Sequence, residues 1–248
     1  MELSLKNLGL EYVDLYLMHT PVAYERIGKG EDEWLTVRLS GGKPKLDMAL
    51  TQRYDQTWKA MEGLVRAGKA KHIGLSNFSI QKMRKILKTC TIKPAVNQVE
   101  IHPYLIENDL INFCNENGIH VTAFSPLGGK PVAAVAANAD IPGPLQNGVI
   151  KSIAEKHGIT PAQVLLKWGL QRGTSVIPKA YTPSHIAENF ATLALPNLSN
   201  EDCTTIDQVR KNEGEVRFIN YLSHWGFDIY RPGPEDPTEE PEVVLRQN

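Results

Sequence analysis

Short runs of β-branched and apolar residues alternate with helical patterns along almost the whole chain, and this alternation limits the fold more than any other feature. The runs are Tyr12 to Met18, His72 to Leu75, Ala95 to Val99, His120 to Phe124 and Ser175 to Ile177. Helical patterns fill the intervals. One spans about Tyr54 to Ala67, with Trp58, Met61, Leu64 and Val65 on one face and Gly68 placed to close it. Ser79 is placed to cap a helix carrying Met83, Ile86 and Leu87. Another carries Leu110, Ile111, Phe113 and Cys114 and stops at Asn117-Gly118. A further one covers about Val149 to His157, Thr160-Pro161 and Thr182-Pro183 each read as N-cap and first helical residue, and a last helix follows Ser199. Strand–helix alternation of this kind builds a parallel sheet from βα units. Five such strands fit an open doubly wound sheet, or part of an eight-stranded barrel.

The 248 residues are 42% hydrophobic and 22% charged with a net charge of −1, which predicts a globular core and, lacking a basic excess, gives no support to nucleic-acid binding. No apolar run reaches the roughly 20 residues of a membrane span, and the start has no signal-peptide pattern. Cys90, Cys114 and Cys203 lie far apart and outside metal-ligand spacing, so free thiols, no metal and a cytoplasmic setting are expected. Residues 1–230 read as one body and 231–248 as a mobile arm rich in Pro and Glu. Residues 22–50 read as a long polar connection. The Ala-, Pro- and Gly-rich stretch before Val149 reads as a loop of about 17 residues, a length that often signals function.

Polar residues gather just past the strands: His19, Ser76-Asn77, Gln98 with Glu100, Phe124-Ser125 and Lys179. In a barrel these ends form the active site, although strand ends are also polar simply because loops are solvated. Strand alternation puts Val13, Leu15, Leu17 and His19 on one face and Tyr12, Asp14, Tyr16 and Met18 on the other. An apolar face ending in an imidazole suits a substrate at a barrel mouth. Lys179, three residues before a helix N-terminus, suits a phosphate. There is no G-x-G-x-x-G, P-loop, G-x-S-x-G or H-E-x-x-H pattern. The residues by themselves therefore point to a parallel α/β enzyme with a phosphate-bearing ligand.

Five longer segments resemble the aldo-keto reductases in the family's order. They are L-x-Y-V-D-L-Y-L-M-H-x-P (Leu10 to Pro21), M-E-x-L-V-x-x-G-K-x-x-x-I-G-L-S-N-F (Met61 to Phe78), P-A-V-N-Q-V-E-x-H-P-Y (Pro94 to Tyr104), T-A-F-S-P-L-G (Thr122 to Gly128) and V-I-P-K-x-x-T-P-x-x-I-A-E-N-F (Val176 to Phe190). The resemblance implies a (β/α)8 barrel, normally monomeric, that reduces an aldehyde or ketone with NADPH and without a metal. It makes His19 the catalytic-pocket histidine that orients the carbonyl. Ser76, Asn77 and Gln98 resemble the trio on the nicotinamide carboxamide, and Phe124 takes the place of a usual tyrosine stacked on that ring. Ser125 and Leu127 resemble pyrophosphate contacts, with the loop after Gly128 folding over them. Lys179 resembles the partner of the 2′-phosphate, and Glu188 and Asn189 the adenine contacts. His185 stands where an arginine is frequent, Ala180 where a serine is common and Thr20 where a tryptophan is frequent. NADPH preference should therefore be weakened and the pocket widened beside His19.

The resemblance also makes the Tyr12–Met18 strand the fourth of eight. On that reading strands equivalent to 4–8 are present, an incomplete TIM barrel with an extended C-terminal tail. About 90 residues of earlier βα units are not among the 248. Those units would carry the aspartate, tyrosine and lysine of the catalytic tetrad, leaving His19. Tyr16 is predicted to face away from His19 and so not to replace the tyrosine. Open apolar edges predict self-association. Little activity is expected of these residues alone. The alternatives are a non-catalytic NADP-binding or scaffold protein, or a nonfunctional fragment. Trp225, Phe227 and Tyr230 either line the pocket or anchor the tail.

Overall fold

The structure, a computed structural model, describes residues 1–27, 36–129, 140–211 and 214–231. The elements in chain order are α1 (Glu2–Leu8), β1 (Val13–Met18), α2 (Met48–Thr51), α3 (Tyr54–Arg66), β2 (Ala70–Ser76), α4 (Ile80–Thr89), β3 (Val96–Glu100), α5 (Asn108–Glu116), β4 (His120–Phe124), α6 (Gly148–His157), α7 (Pro161–Gln171), β5 (Ser175–Ile177), α8 (Pro183–Ala191), α9 (Asn200–Asp207) and α10 (Leu222–Trp225). All five predicted strands are present, in the sheet order β1-β2-β3-β4-β5. β2–β3, β3–β4 and β4–β5 pair in parallel. The chain divides into two compact units: Met1–Ile73 with Phe78–Lys93 and Tyr221–Asn248, and Gly74–Asn77 with Pro94–Asn220.

In the first unit, α3 forms because Tyr54, Trp58 and Met61 recur at helical spacing and are buried, while Gly68 closes the helix at φ +68°. Trp58 donates its indole N–H to the Ile92 carbonyl, 3.0 Å away. Glu62, one residue beyond Met61, is also buried and accepts from the Thr91 and Ile92 backbone N–H groups and the Thr91 hydroxyl. Burial pushes its carboxyl up, but these bonds and Arg66 outweigh it and hold the pKa at about 2. Ser79 caps α4 as predicted.

The stretch 22–50 is less irregular than its composition suggests. Its described residues include the isolated antiparallel bridges Tyr24–Leu46, Arg26–Thr36 and Arg38–Pro44 and the short helix α2, none of which a periodic pattern announces. Trp225, Phe227 and Ile229 are buried against Val22, Tyr24, Leu46 and Met48 of this ribbon, and Trp225 donates to the Tyr24 hydroxyl at 2.8 Å. Of the two roles left open for these aromatics, Trp225 and Phe227 serve as anchors.

In the second unit, the face of β3 and β4 that carries Asn97, Val99, Val121 and Ala123 is buried. α7 supports the unit with Val164, Leu165, Leu166 and Trp168, all at most 1% exposed. The end strands of the sheet order are more open: Leu15 in β1 is 40% exposed and Ile177 in β5 is 47% exposed. Cys114 is buried and Cys90 and Cys203 are half-buried; all three are free thiols. Among the described residues no helix is long and apolar enough to cross a membrane. The predicted arm from residue 232 and the central part of the predicted loop, residues 130–139, lie outside the described residues.

Candidate cofactor and active site

Register brings the first group of predicted residues together. Ser76 pairs with Gln98, and Gln98 with Thr122. Paired residues of a parallel sheet point to the same side, so Ser76 and Gln98 share a row. Two residues further along, Phe124 pairs with Glu100 on one side and Ile177 on the other. The row is fixed by hydrogen bonds. The Ser76 hydroxyl donates to the Gln98 carbonyl at 2.8 Å, the Asn77 backbone N–H donates to the same carbonyl at 3.0 Å, and the Asn77 amide donates to Ser76 Oγ at 3.2 Å.

Asn77 and Ser125 both take left-handed backbone conformations, φ +62° and +48°. Asparagine tolerates that region, and serine pays a steric cost there. Each sits one residue beyond its strand, so β2 and β4 end in sharp departures of the chain. Gly128 follows at φ +60°, where an added Cβ would lie 2.3 Å from Pro144 Cδ and 3.4 Å from the Phe218 ring. Only glycine allows both the backbone angle and this approach.

A second group meets around a cavity of about 320 Å³ lined by Leu127, Leu145, Thr160, Pro161, Ala162, Lys179, His185, Glu188 and Asn189. Thr182 caps α8, accepting the His185 backbone N–H, and Pro183 is its first residue, as predicted. The first turn has no acidic side chain, so the positive end of the helix is not neutralised. The Lys179 ammonium rests 4.8 Å over the Tyr181 ring. Leu127 joins the two groups through the chain, three residues beyond Phe124.

His19 belongs to the first unit. It is exposed and borders a cavity of about 700 Å³ with Tyr16, Met18, Tyr24, Thr51 and Tyr54. Strand alternation set Tyr16 and His19 on opposite faces. The cavity runs along the last residues of β1 and on to Tyr24, so it meets side chains of both faces. Burial pushes the Tyr24 phenol up, despite the hydrogen bond from Trp225.

One polar cluster at a strand end is not a ligand site. Glu100 and His102 are fully buried, with His102 Nε2 2.9 Å from Glu100 Oε1. Glu100 also accepts the backbone N–H groups of Phe218 at 2.7 Å and Ile219 at 3.0 Å. His102 Nδ1 accepts from Tyr104 N–H, which places the imidazole proton on Nε2. Burial raises the Glu100 carboxyl, but the bonds from His102, Phe218 and Ile219 prevail and hold its pKa below the usual carboxylate value. The sequence marked Glu100 as a strand-end polar residue; apart from His102, its partners lie 118 and 119 positions away and no local signal announces them.

The aldo/keto reductase family matches residues 1–211 of the chain. The protein belongs to that family. Among similar proteins, a glycerol 2-dehydrogenase (NADP(+)) of Hypocrea jecorina is 42% identical over 229 residues, 92% of this chain and 68% of its own length. Aldose reductase B of Dictyostelium discoideum is 44% identical over 211 residues, 85% of this chain and 63% of its own. The aldose reductase of Schistosoma japonicum superposes with a TM-score of 0.76 at 37% identity, covering 92% of this chain and 67% of that one. The chain thus spans about two thirds of the length of these relatives. In this aldo/keto reductase chain, Ser76, Asn77, Gln98, Phe124, Ser125, Leu127, Lys179, His185, Glu188 and Asn189 fall in the second unit and His19 in the first.

Proposed function

We propose that the protein is an NADPH-dependent reductase of aldehydes or ketones, with the second unit holding the dinucleotide. The observation that carries this reading is that one cavity is bordered by Leu127 and, some fifty positions later, by Lys179, His185, Glu188 and Asn189, all assigned to the same cofactor by resemblance. The donor set suits the ligand. Lys179 and the bare N-terminus of α8 offer positive charge to a 2′-phosphate, and Glu188 and Asn189 offer acceptors and donors to a purine edge. The His185 ring stacks on adenine with less charge than an arginine would bring, so NADPH is preferred over NADH, but not strictly. Ser76, Asn77 and Gln98 hold the carboxamide, Phe124 lies against the ring, and Ser125 supports the pyrophosphate. NADPH, when bound, supplies the hydride for the carbonyl carbon.

His19 orients the carbonyl oxygen by hydrogen bonding. The oxygen then needs a proton, and a phenol donates well at neutral pH only when its pKa is lowered. Of the phenols bordering the His19 cavity, half-buried Tyr24 is shifted the opposite way. We therefore propose that these five strands correspond to the fourth to eighth of a barrel, and that the 248 residues alone bind NADPH and reduce carbonyls slowly. The same shift favours the second reading, an NADP-binding protein without turnover. Titration of NADPH fluorescence tests binding, and NADPH oxidation with a nitrobenzaldehyde tests turnover. Robust turnover that is lost in His19→Ala would refute the slow-reduction proposal. Absence of NADPH binding would refute both readings.

A further inference from the structure

We infer that Thr160 is a positioning residue for purine selection, holding Glu188 so that the site takes a 6-amino purine over a 6-oxo purine. The inference rests on the dinucleotide reading above and concerns residues that the sequence marked only as a helix start.

Thr160 is the N-cap of α7, and its capping box is complete. Its oxygen accepts the Gln163 backbone N–H at 3.2 Å, and the Gln163 side chain accepts the Thr160 backbone N–H at 3.2 Å. A box of this kind leaves two donors over: the threonine hydroxyl proton and the glutamine amide. Both go to one residue of another helix. The Thr160 hydroxyl donates to Glu188 Oε1, and Gln163 Nε2 donates to the Glu188 carbonyl at 3.2 Å. The start of α7 thus grips Glu188 by its side chain and its backbone. Thr160, Glu188 and the adjoining Pro161 and Ala162 all border the same cavity.

The consequence lies in geometry. A glutamate has three rotatable side-chain bonds, and ordering it costs up to about 2 kcal/mol. Threonine is stiff at χ1, so its hydroxyl defines one direction. With Oε1 occupied, Oε2 is left to accept from a ligand. A carboxylate only accepts, so it pairs with an exocyclic 6-amino group and repels a 6-oxo group. A 6-oxo purine still offers a donor, the neighbouring ring N1–H. A mobile carboxylate could swing to that donor; a held one is fixed for the amino group. Removing the grip should therefore reduce discrimination more than it reduces affinity.

The test compares fluorescence titrations of NADPH and its 6-oxo analogue, reduced nicotinamide hypoxanthine dinucleotide phosphate. The proteins are the wild type, Thr160→Val, Thr160→Ser and Gln163→Glu, with thermal melts run alongside. The wild type should prefer NADPH, and Thr160→Val should lower that preference about fivefold, the effect of roughly one hydrogen bond. Thr160→Ser should restore it. Gln163→Glu keeps the capping box but loses the donor to Glu188, so it should lower the preference about twofold, and it serves if Thr160→Val fails to fold. A loss of stability alone would leave the ratio unmoved. A wild type that binds both cofactors equally, or variants that discriminate as the wild type does, would overturn the inference while the dinucleotide reading stands. A wild type that binds neither cofactor would overturn both.

Discussion

The ends of β3 and β5 are both crowded with polar side chains, and they are used in opposite ways. At the end of β3, Glu100 and His102 are buried, and hydrogen bonds within the protein take up both carboxylate oxygens and both ring nitrogens. Past β5, Lys179 and His185 are exposed, and they border an open cavity with Glu188. A polar residue beyond a strand therefore does not define a site. What matters is whether its hydrogen-bonding capacity is already consumed. At β3 it closes a fold contact, and at β5 Lys179 and His185 keep theirs open to the cavity.

The sharpest way to break this comparison is Glu100→Ala. It leaves the N–H groups of Phe218, Ile219 and His102 without their acceptor, which should cost about 3–5 kcal/mol, read as a fall in the urea midpoint. The same carboxylate predicts an acid limit. Its folded pKa is lowered, so its stabilisation is full above the unfolded value near 4.5 and drains away as pH falls through the folded value. Glu100→Gln should flatten the stability–pH profile below about pH 4.5. A wild-type profile that is flat there would contradict the clamp.

Gly128 packs close to Pro144 and to the ring of Phe218, whose backbone N–H donates to Glu100. Gly128→Ala should cost about 2–3 kcal/mol in a thermal or urea melt. If it also weakens NADPH binding in the surviving folded protein, the clamp supports the cofactor loop; unchanged binding separates them. At the open end the effects should be confined to the ligand. Lys179→Met should weaken NADPH at least tenfold and NADH little, by titration, while leaving the melt in place. Equal loss for both cofactors would remove the 2′-phosphate role. The smallest effect expected is about a threefold tightening of NADPH by His185→Arg, which adds a permanent charge beside Lys179.

What the sequence made legible follows from the range of the physics. Local periodicity marks α3 and β4 to within a residue or so, and caps such as Ser79, Thr160 and Thr182 are written in adjacent positions. The candidate cofactor residues were legible because they sit in contiguous motifs. The described part of the ribbon within residues 22–48 was not, because it rests on isolated bridges rather than on a continuous strand pattern. Nor was the Glu100 clamp, or the grip of Thr160 on Glu188 across 28 positions, because a side chain's distant partner leaves no mark beside it. For the same reason the double bordering of one cavity by Tyr16 and His19 escaped a rule based on strand faces.

The three thiols carry a practical consequence. Burial pushes Cys114 up to about 12 and raises Cys90 and Cys203 as well, so at neutral pH each holds very little of the thiolate that attacks an alkylating reagent. A cysteine introduced on the solvent side of α8 would outcompete all three for a maleimide dye. Labelling at such a single site, next to the cavity bordered by Lys179 and Asn189, should therefore be favoured over reaction at the native thiols.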